Sequence, residues 1–138
     1  MNSYPQNLTI PGISETYRFS LPWPPSVNTY WRHVVTKGKP RTLISKKGRE
    51  YRKDVCNAIL MQKAKPKAVV HDRLAVLITA FPPDRRKRDL DNLPKAVLDA
   101  LTFGQVWGDD SQIDDLRIVR GEIEKGGRIE IQVARIEG

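Results

Sequence analysis

The stretch "RLAVLITAF", Arg73 to Phe81, is rich in apolar and β-branched residues and shows no alternation with polar ones. A continuous run of this kind is typical of a strand at the centre of a sheet, covered on both faces. The prolines that follow, Pro82 and Pro83, end the strand because they cannot donate to a backbone ladder. We therefore predict that the rest of the chain is arranged around this strand.

Two helices are predicted, one before and one after this strand in the chain. Ser45 can cap a first helix that runs to about Lys65 and stops before Pro66. A second helix covers about Asn92 to Phe103, and Pro94 is tolerated in its first turn, where N–H groups are spare. The apolar positions of the first helix are Tyr51, Val55, Ala58, Ile59 and Met61. Its other face is basic and consists of Lys46, Lys47, Arg49, Arg52 and Lys53.

Alternating segments predict further strands. One is "TYRFSLP", residues 16–22, and two more, residues 115–124 and 128–137, flank the turn "KGG" and are interpreted as a C-terminal β-hairpin. The segment "TKGKPR", residues 36–41, is interpreted as a flexible basic loop. The order β, α, β, α, hairpin predicts an α/β (α+β) fold: a mixed β-sheet with two main helices and a C-terminal β-hairpin.

The 138 residues are expected to form one domain. Residues 1–16 lack periodicity and are interpreted as an N-terminal extension, followed by a single domain over residues 17–138. No apolar run approaches the ~20 residues of a membrane span, so no membrane partner is expected. Cys56 is the only cysteine, which excludes an intrachain disulfide and fits a cytoplasmic location.

Positive charge is concentrated in the first half of the chain. The net charge is +8 overall, and residues 31–67 alone carry a net +10, whereas residues 84–124 carry a net −3. A basic segment of this size favours a polyanionic partner, usually nucleic acid. The alternative is that the basic residues merely keep the protein soluble.

Candidate site residues occur in "DRRKRDLDNLPK", residues 84–95. Asp89 and Asp91 are two residues apart, and in an extended segment such residues face the same way, about 6–7 Å apart. Two carboxylates on one face are suitable ligands for Mg²⁺, although in a helix they would diverge. The cations that precede them are Arg85, Arg86, Lys87 and Arg88, which are expected to bind phosphates of a DNA backbone.

A second acidic segment is "VWGDDSQIDD", residues 106–115. Asp109 and Asp110 follow Gly108, and their spacing does not decide which of the two is a metal ligand. Trp107 is expected to anchor this loop against the core. Asp114 and Asp115 are interpreted as turn and cap residues.

Lys95 lies four residues after Asp91. At that place it is positioned to contact the scissile phosphate and to stabilise charge in the transition state. An ion pair with Asp99, four residues further on, is an equally weighted alternative.

Together, these patterns favour phosphodiester hydrolysis, because bound Mg²⁺ would reverse the negative charge that otherwise repels DNA. A non-catalytic nucleic-acid-binding protein explains the charge but gives the aspartates no purpose. A metal enzyme that acts on nucleotide sugars is a third possibility, but it does not need a segment of net charge +10.

The chain resembles the RusA family of Holliday-junction resolvases. The resemblance rests on "LPWPPSVNTYWR", "RDLDNLPKAVLDAL", "VWGDDSQI" and "KGGRIEI", and it spans about Tyr17 to the C-terminus. It implies a small α/β homodimer that cuts four-way junction DNA with Mg²⁺ by paired symmetric nicks, in recombination and repair. By motif position, it places the metal ligands at Asp89, Asp91 and Asp110 and the catalytic lysine at Lys95.

Overall fold

The computed structural model describes residues 13–63 and 70–136. Within them, a four-stranded sheet and a separate two-stranded sheet are combined with helices. The elements in chain order are β1 (Ile13–Leu21), α1 (Val27–Tyr30), β2 (Trp31–Thr36), β3 (Lys39–Ile44), α2 (Lys46–Gln62), β4 (Leu74–Phe81), a 3₁₀ turn (Leu90–Asn92), α3 (Pro94–Phe103), a second 3₁₀ turn (Asp110–Gln112), β5 (Ile113–Arg120) and β6 (Arg128–Ile136). The α+β class is confirmed.

Strand β4 is the centre of the fold, as predicted. The strand order of the main sheet is β1-β6-β4-β5, so β4 has a neighbour on each side. Every residue from Leu74 to Ala80 is buried. Strand β5 runs parallel to β4, and α3 supplies the crossover that such a connection requires.

The predicted C-terminal β-hairpin is wrong. Strands β5 and β6 do not pair with each other, because both pair with β4, from opposite sides. The connection between them crosses the end of β4: the N–H of Gly121 donates to the carbonyl of Ala80, and that of Glu124 to the carbonyl of Pro82. Two strands that pair with each other and two strands separated by a third can show the same alternation and the same Gly126–Gly127 turn between them. The sequence pattern therefore did not distinguish the two arrangements.

The segment "TKGKPR" is also not a loop. It forms the end of an antiparallel hairpin in which Thr36 pairs with Lys39. Lys37 and Gly38 form the turn, with φ of 53° and 73°. Two successive positive φ values are those of a type I′ turn, whose twist matches the twist of the two strands it joins.

Helix α2 begins where predicted. The side chain of Ser45 accepts a hydrogen bond from the N–H of Gly48, at 3.0 Å. The helix ends at Gln62, before the predicted Lys65, which lies outside the described residues. The expected apolar positions Tyr51, Val55 and Ile59 are buried, and Ala58 is partly buried. The prediction is wrong for Met61, which is 84% exposed.

The first strand begins earlier than the one predicted over residues 16–22. Strand β1 begins at Ile13 and pairs with β6. Residues 1–12 of the predicted extension lie outside the described part of the chain.

Of the helices described, none is long and apolar enough to cross a membrane.

Candidate active site

Asp89 and Asp91 lie at the entrance to α3, both exposed. Asp89 is extended, with φ −89° and ψ 134°, but Leu90 to Asn92 form a 3₁₀ turn. The predicted extended geometry is therefore wrong at Asp91, because the chain has already begun to coil there. Leu90 packs against the core, as expected. The two carboxylates, two residues apart in the chain, therefore do not form a strand-like pair.

The acidic loop after Trp107 is held firmly. Trp107 is completely buried, and its indole N–H donates to the hydroxyl of Thr102 at 2.7 Å, so the predicted anchor is confirmed. The side-chain oxygen of Gln112 accepts from the N–H groups of Gly108 and Asp109, at 2.9 and 2.8 Å. Its amide nitrogen donates to the carbonyls of Val70 and Asp72, at 3.0 and 2.9 Å. The loop is thereby fixed to the segment that precedes β4.

The two aspartates of this loop have different roles. Asp109 caps the 3₁₀ turn by accepting from the N–H of Ser111 at 3.0 Å. This hydrogen bond lowers the pKa of Asp109, whereas burial raises the pKa of Asp110, and the nearby carboxylates of Asp109 and Asp99 raise it further. Asp109 therefore serves as a cap, and its carboxyl group also interacts with that of Asp110.

Most aspartates between residues 70 and 136 have an arginine partner. The pairs are Asp72–Arg135, Asp84–Arg88, Asp99–Arg52, Asp114–Arg73 and Asp115–Arg117. Asp114 and Asp115 are therefore structural, although as ion-pair residues of β5 rather than as turn residues. In the described part of the chain, Asp89, Asp91, Asp109 and Asp110 have no cationic partner.

The chemistry of these unneutralised carboxylates fits a hard divalent cation, which prefers oxygen ligands. Among residues 13–63 and 70–136, no three His, Cys, Asp or Glu side chains lie close enough together to hold a metal ion as they stand. The assignment of Asp89, Asp91 and Asp110 as metal ligands therefore stays a prediction.

Asp99 belongs to a network that the sequence did not indicate. Arg52 donates to both of its oxygens, at 2.8 and 3.1 Å, and the hydroxyl of Tyr30 donates to it as well. Burial, and then Asp99, raise the pKa of Tyr30 above its usual range. The predicted pair between Lys95 and Asp99 is wrong, and Lys95 is exposed with no partner among the described residues. No local pattern could have found a pair that is 47 residues apart.

The cation run divides into two kinds of residue. Arg88 and Arg86 are both paired with Asp84, which lowers the pKa of that carboxyl to about 2. The guanidinium of Arg88 also lies 5.7 Å from the centre of the Trp23 ring. In contrast, Arg85 and Lys87 are exposed and make no ion pair within the part of the chain that the structure describes.

A cleft of about 690 Å³ adjoins the acidic entrance to α3. Trp23 lines one part of it, and Lys87, Arg88, Asp89 and Asn92 line another. The cleft thus combines an aromatic surface, two cations and a carboxylate that has no cationic partner. Tyr30 is fully buried and is therefore a core residue.

A family profile described as Endodeoxyribonuclease RusA matches residues 22–134. The chain belongs to this family. The crossover junction endodeoxyribonuclease rusA of Enterobacteria phage HK97 is 43% identical over 121 residues, which is 88% of this chain and 96% of the phage protein. The RusA proteins of Shigella sonnei strain Ss046 and Escherichia coli strain K12 are 42% and 41% identical over the same shares. The predicted resemblance and enzyme class, a DNA-cleaving phosphodiester hydrolase, are confirmed.

Proposed function

We propose that this RusA-family chain is a Mg²⁺-dependent endodeoxyribonuclease that resolves Holliday junctions by paired symmetric nicks, in the cytoplasm, during recombination and repair. One observation carries the proposal: Asp89, Asp91 and Asp110, the aspartates of the family motifs, have no cationic partner among the described residues, whereas most of the other aspartates between residues 70 and 136 do. The relatives are named crossover junction endodeoxyribonucleases, which supports the same substrate.

Asp89, Asp91 and Asp110 would hold the metal ion. When bound, Mg²⁺ supplies charge that activates water for attack on a phosphodiester and stabilises the leaving oxygen. Arg85 and Lys87 attract the DNA backbone and have no ion pair to break first. Arg88 and Arg86 bind phosphate less freely because Asp84 already holds both, so we assign Arg88 a second role, in shaping the cleft beside Trp23.

Lys95 stabilises the negative charge that develops on the phosphate. Because its ammonium has no partner within the described residues, it is available to the substrate. We expect Lys95→Ala to lower the nicking rate at saturating junction by about 10²-fold and to leave the dissociation constant nearly unchanged. Single-turnover kinetics and anisotropy binding in Ca²⁺ separate the two quantities. A loss of binding alone, restored by Lys95→Arg, would show that Lys95 only attracts DNA.

The proposal includes a homodimer. A four-way junction is approximately two-fold symmetric, and its resolution needs two matched nicks. A C₂ dimer presents two equivalent sites to two equivalent strands. Light scattering at micromolar concentration checks the assembly state, and a monomer that resolves junctions would contradict this part of the proposal.

The decisive test is cleavage of a labelled synthetic four-way junction beside a matched linear duplex, with Mg²⁺ or with EDTA, on denaturing gels. We expect paired, symmetric nicks in the junction only, and only with Mg²⁺. Tight junction binding without any cutting would instead support a non-catalytic structure-specific nucleic-acid-binding protein. Equal cutting of the duplex would remove the selectivity for junctions.

A further inference from the structure

The β2–β3 hairpin is a sheet of its own. Its strands pair with each other over six residues and are not part of the main sheet. At its base, Trp31 and Ile44 face each other and pack against the core. Towards the turn, residues 35–43 are all exposed, and Val35 is 74% exposed. The hairpin therefore has an anchored base and an end that is accessible to a large partner.

The two faces of the hairpin differ in charge. Cross-strand partners in an antiparallel pair share a face. The register pairs Arg32 with Leu43, Val34 with Arg41 and Thr36 with Lys39, so one face carries three cations: Arg32, Arg41 and Lys39. The opposite face carries no lysine, arginine, aspartate or glutamate. It consists of Trp31, His33, Val35, Pro40, Thr42 and Ile44.

These cations have no competing partner. Residues 31–49 contain no aspartate or glutamate. Within the described residues, Arg32, Lys39 and Arg41 make no ion pair, unlike Arg52 and Arg73 elsewhere in the fold. An exposed cation that is not held by a carboxylate keeps its full attraction for an external anion.

We propose that the cationic face of the β2–β3 hairpin binds the phosphate backbone of a junction arm, as a DNA contact additional to the cation run at residues 85–88. A two-stranded ribbon is narrow enough to follow a major groove about 12 Å wide. Lys39 and Arg41 are two residues apart in one strand, so their side chains leave the same face about 6–7 Å apart. The inference rests on the proposed DNA substrate.

A second copy of the chain is the competing occupant of this surface. In a two-fold interface a patch meets itself, so the cationic face would oppose its own charge. The exposed Val35 and Pro40 lie on the other face, where a protein contact would be less costly. Charge complementarity therefore favours DNA for the face with Arg32, Lys39 and Arg41.

The test compares two double variants of equal net charge. The first replaces Lys39 and Arg41 by glutamine, and the control replaces Lys63 and Lys125, which are exposed cations outside the hairpin. Binding to a fluorescent junction is measured by anisotropy in Ca²⁺ over a range of salt. We expect the hairpin variant to bind about tenfold more weakly at 0.1 M salt and to reduce the slope of log K against log[salt] by about 1–2. The control keeps the wild-type slope within about 0.5.

Three outcomes would overturn the inference, and they differ in what else they affect. If the hairpin variant and the control lose the same affinity and slope, the hairpin is not a DNA contact. If the hairpin variant changes the mass measured by light scattering, the face belongs to a second copy. If the wild-type protein neither binds nor cuts a junction, the proposed function fails together with the inference.

Discussion

The Asp91→Asn variant is expected to bind a four-way junction about as tightly as the wild-type protein and to cut it at least about 10³-fold more slowly. Asparagine keeps the size of the side chain but removes the negative charge that a divalent cation needs. Asp91 is exposed and lies in a 3₁₀ turn, and its side chain has no hydrogen bond to another described residue. The fold therefore does not depend on its charge, and the effect should appear in catalysis alone.

Single-turnover nicking in Mg²⁺ measures the catalytic effect, and anisotropy in Ca²⁺ measures binding. Asp109→Asn is the matched control within the acidic loop, because an asparagine oxygen can still cap the turn at Ser111. We expect that variant to cut within about tenfold of the wild-type rate. If Asp91→Asn cut at the wild-type rate, the assignment of the metal ligands would be wrong.

The Trp107→Ala variant is expected to have the largest effect on stability. Trp107 has no exposed surface and donates its indole N–H to Thr102. Truncation to alanine leaves a cavity and removes the hydrogen bond to the Thr102 hydroxyl, which keeps its own bond to the Leu98 carbonyl. The two losses together should lower the free energy of unfolding by about 3–5 kcal/mol. Because the acidic loop begins one residue later, junction cutting should fall as well, at temperatures where the protein is still folded.

Urea unfolding followed by circular dichroism gives the change in stability. Met61→Ala, at an 84% exposed helical position, is the control and should change stability by less than about 0.5 kcal/mol. Trp107→Phe fills most of the space but lacks the donor, so it separates the hydrogen bond from the packing. An unfolding midpoint for Trp107→Ala equal to that of the wild-type protein would show that the loop is not anchored by this residue.

Features that depend on neighbouring residues were predictable from the sequence. The central strand follows from eight consecutive residues without alternation, and the start of α2 follows from Ser45, whose cap is local. The position of Pro94 at the start of α3 follows from the same kind of local rule. Such signals lie within a few residues and do not need the tertiary structure.

Features that depend on distant residues were not predictable in the same way. Strand β6 pairs with β1 and β4, which both lie far from it in the chain. The local pattern of a hairpin with β5 was therefore misleading. Arg52 belongs to the basic face predicted for α2, but it pairs with Asp99 on α3. The coil at Asp91 arises because the turn before α3 begins early, which a two-residue spacing does not reveal.

The position of β6 in the sheet has a consequence for folding during synthesis on the ribosome. This last strand lies between β1 and β4 and provides the partner of both. Until residues 128–136 have left the exit tunnel, β1 has no neighbour in the main sheet and one edge of β4 is open. The sheet therefore closes only after residue 136 has been synthesised, through pairings that span more than a hundred residues, as from Tyr17 to Val133. Long-range closures of this kind are slow, and they leave strand edges exposed to aggregation while the chain is still growing.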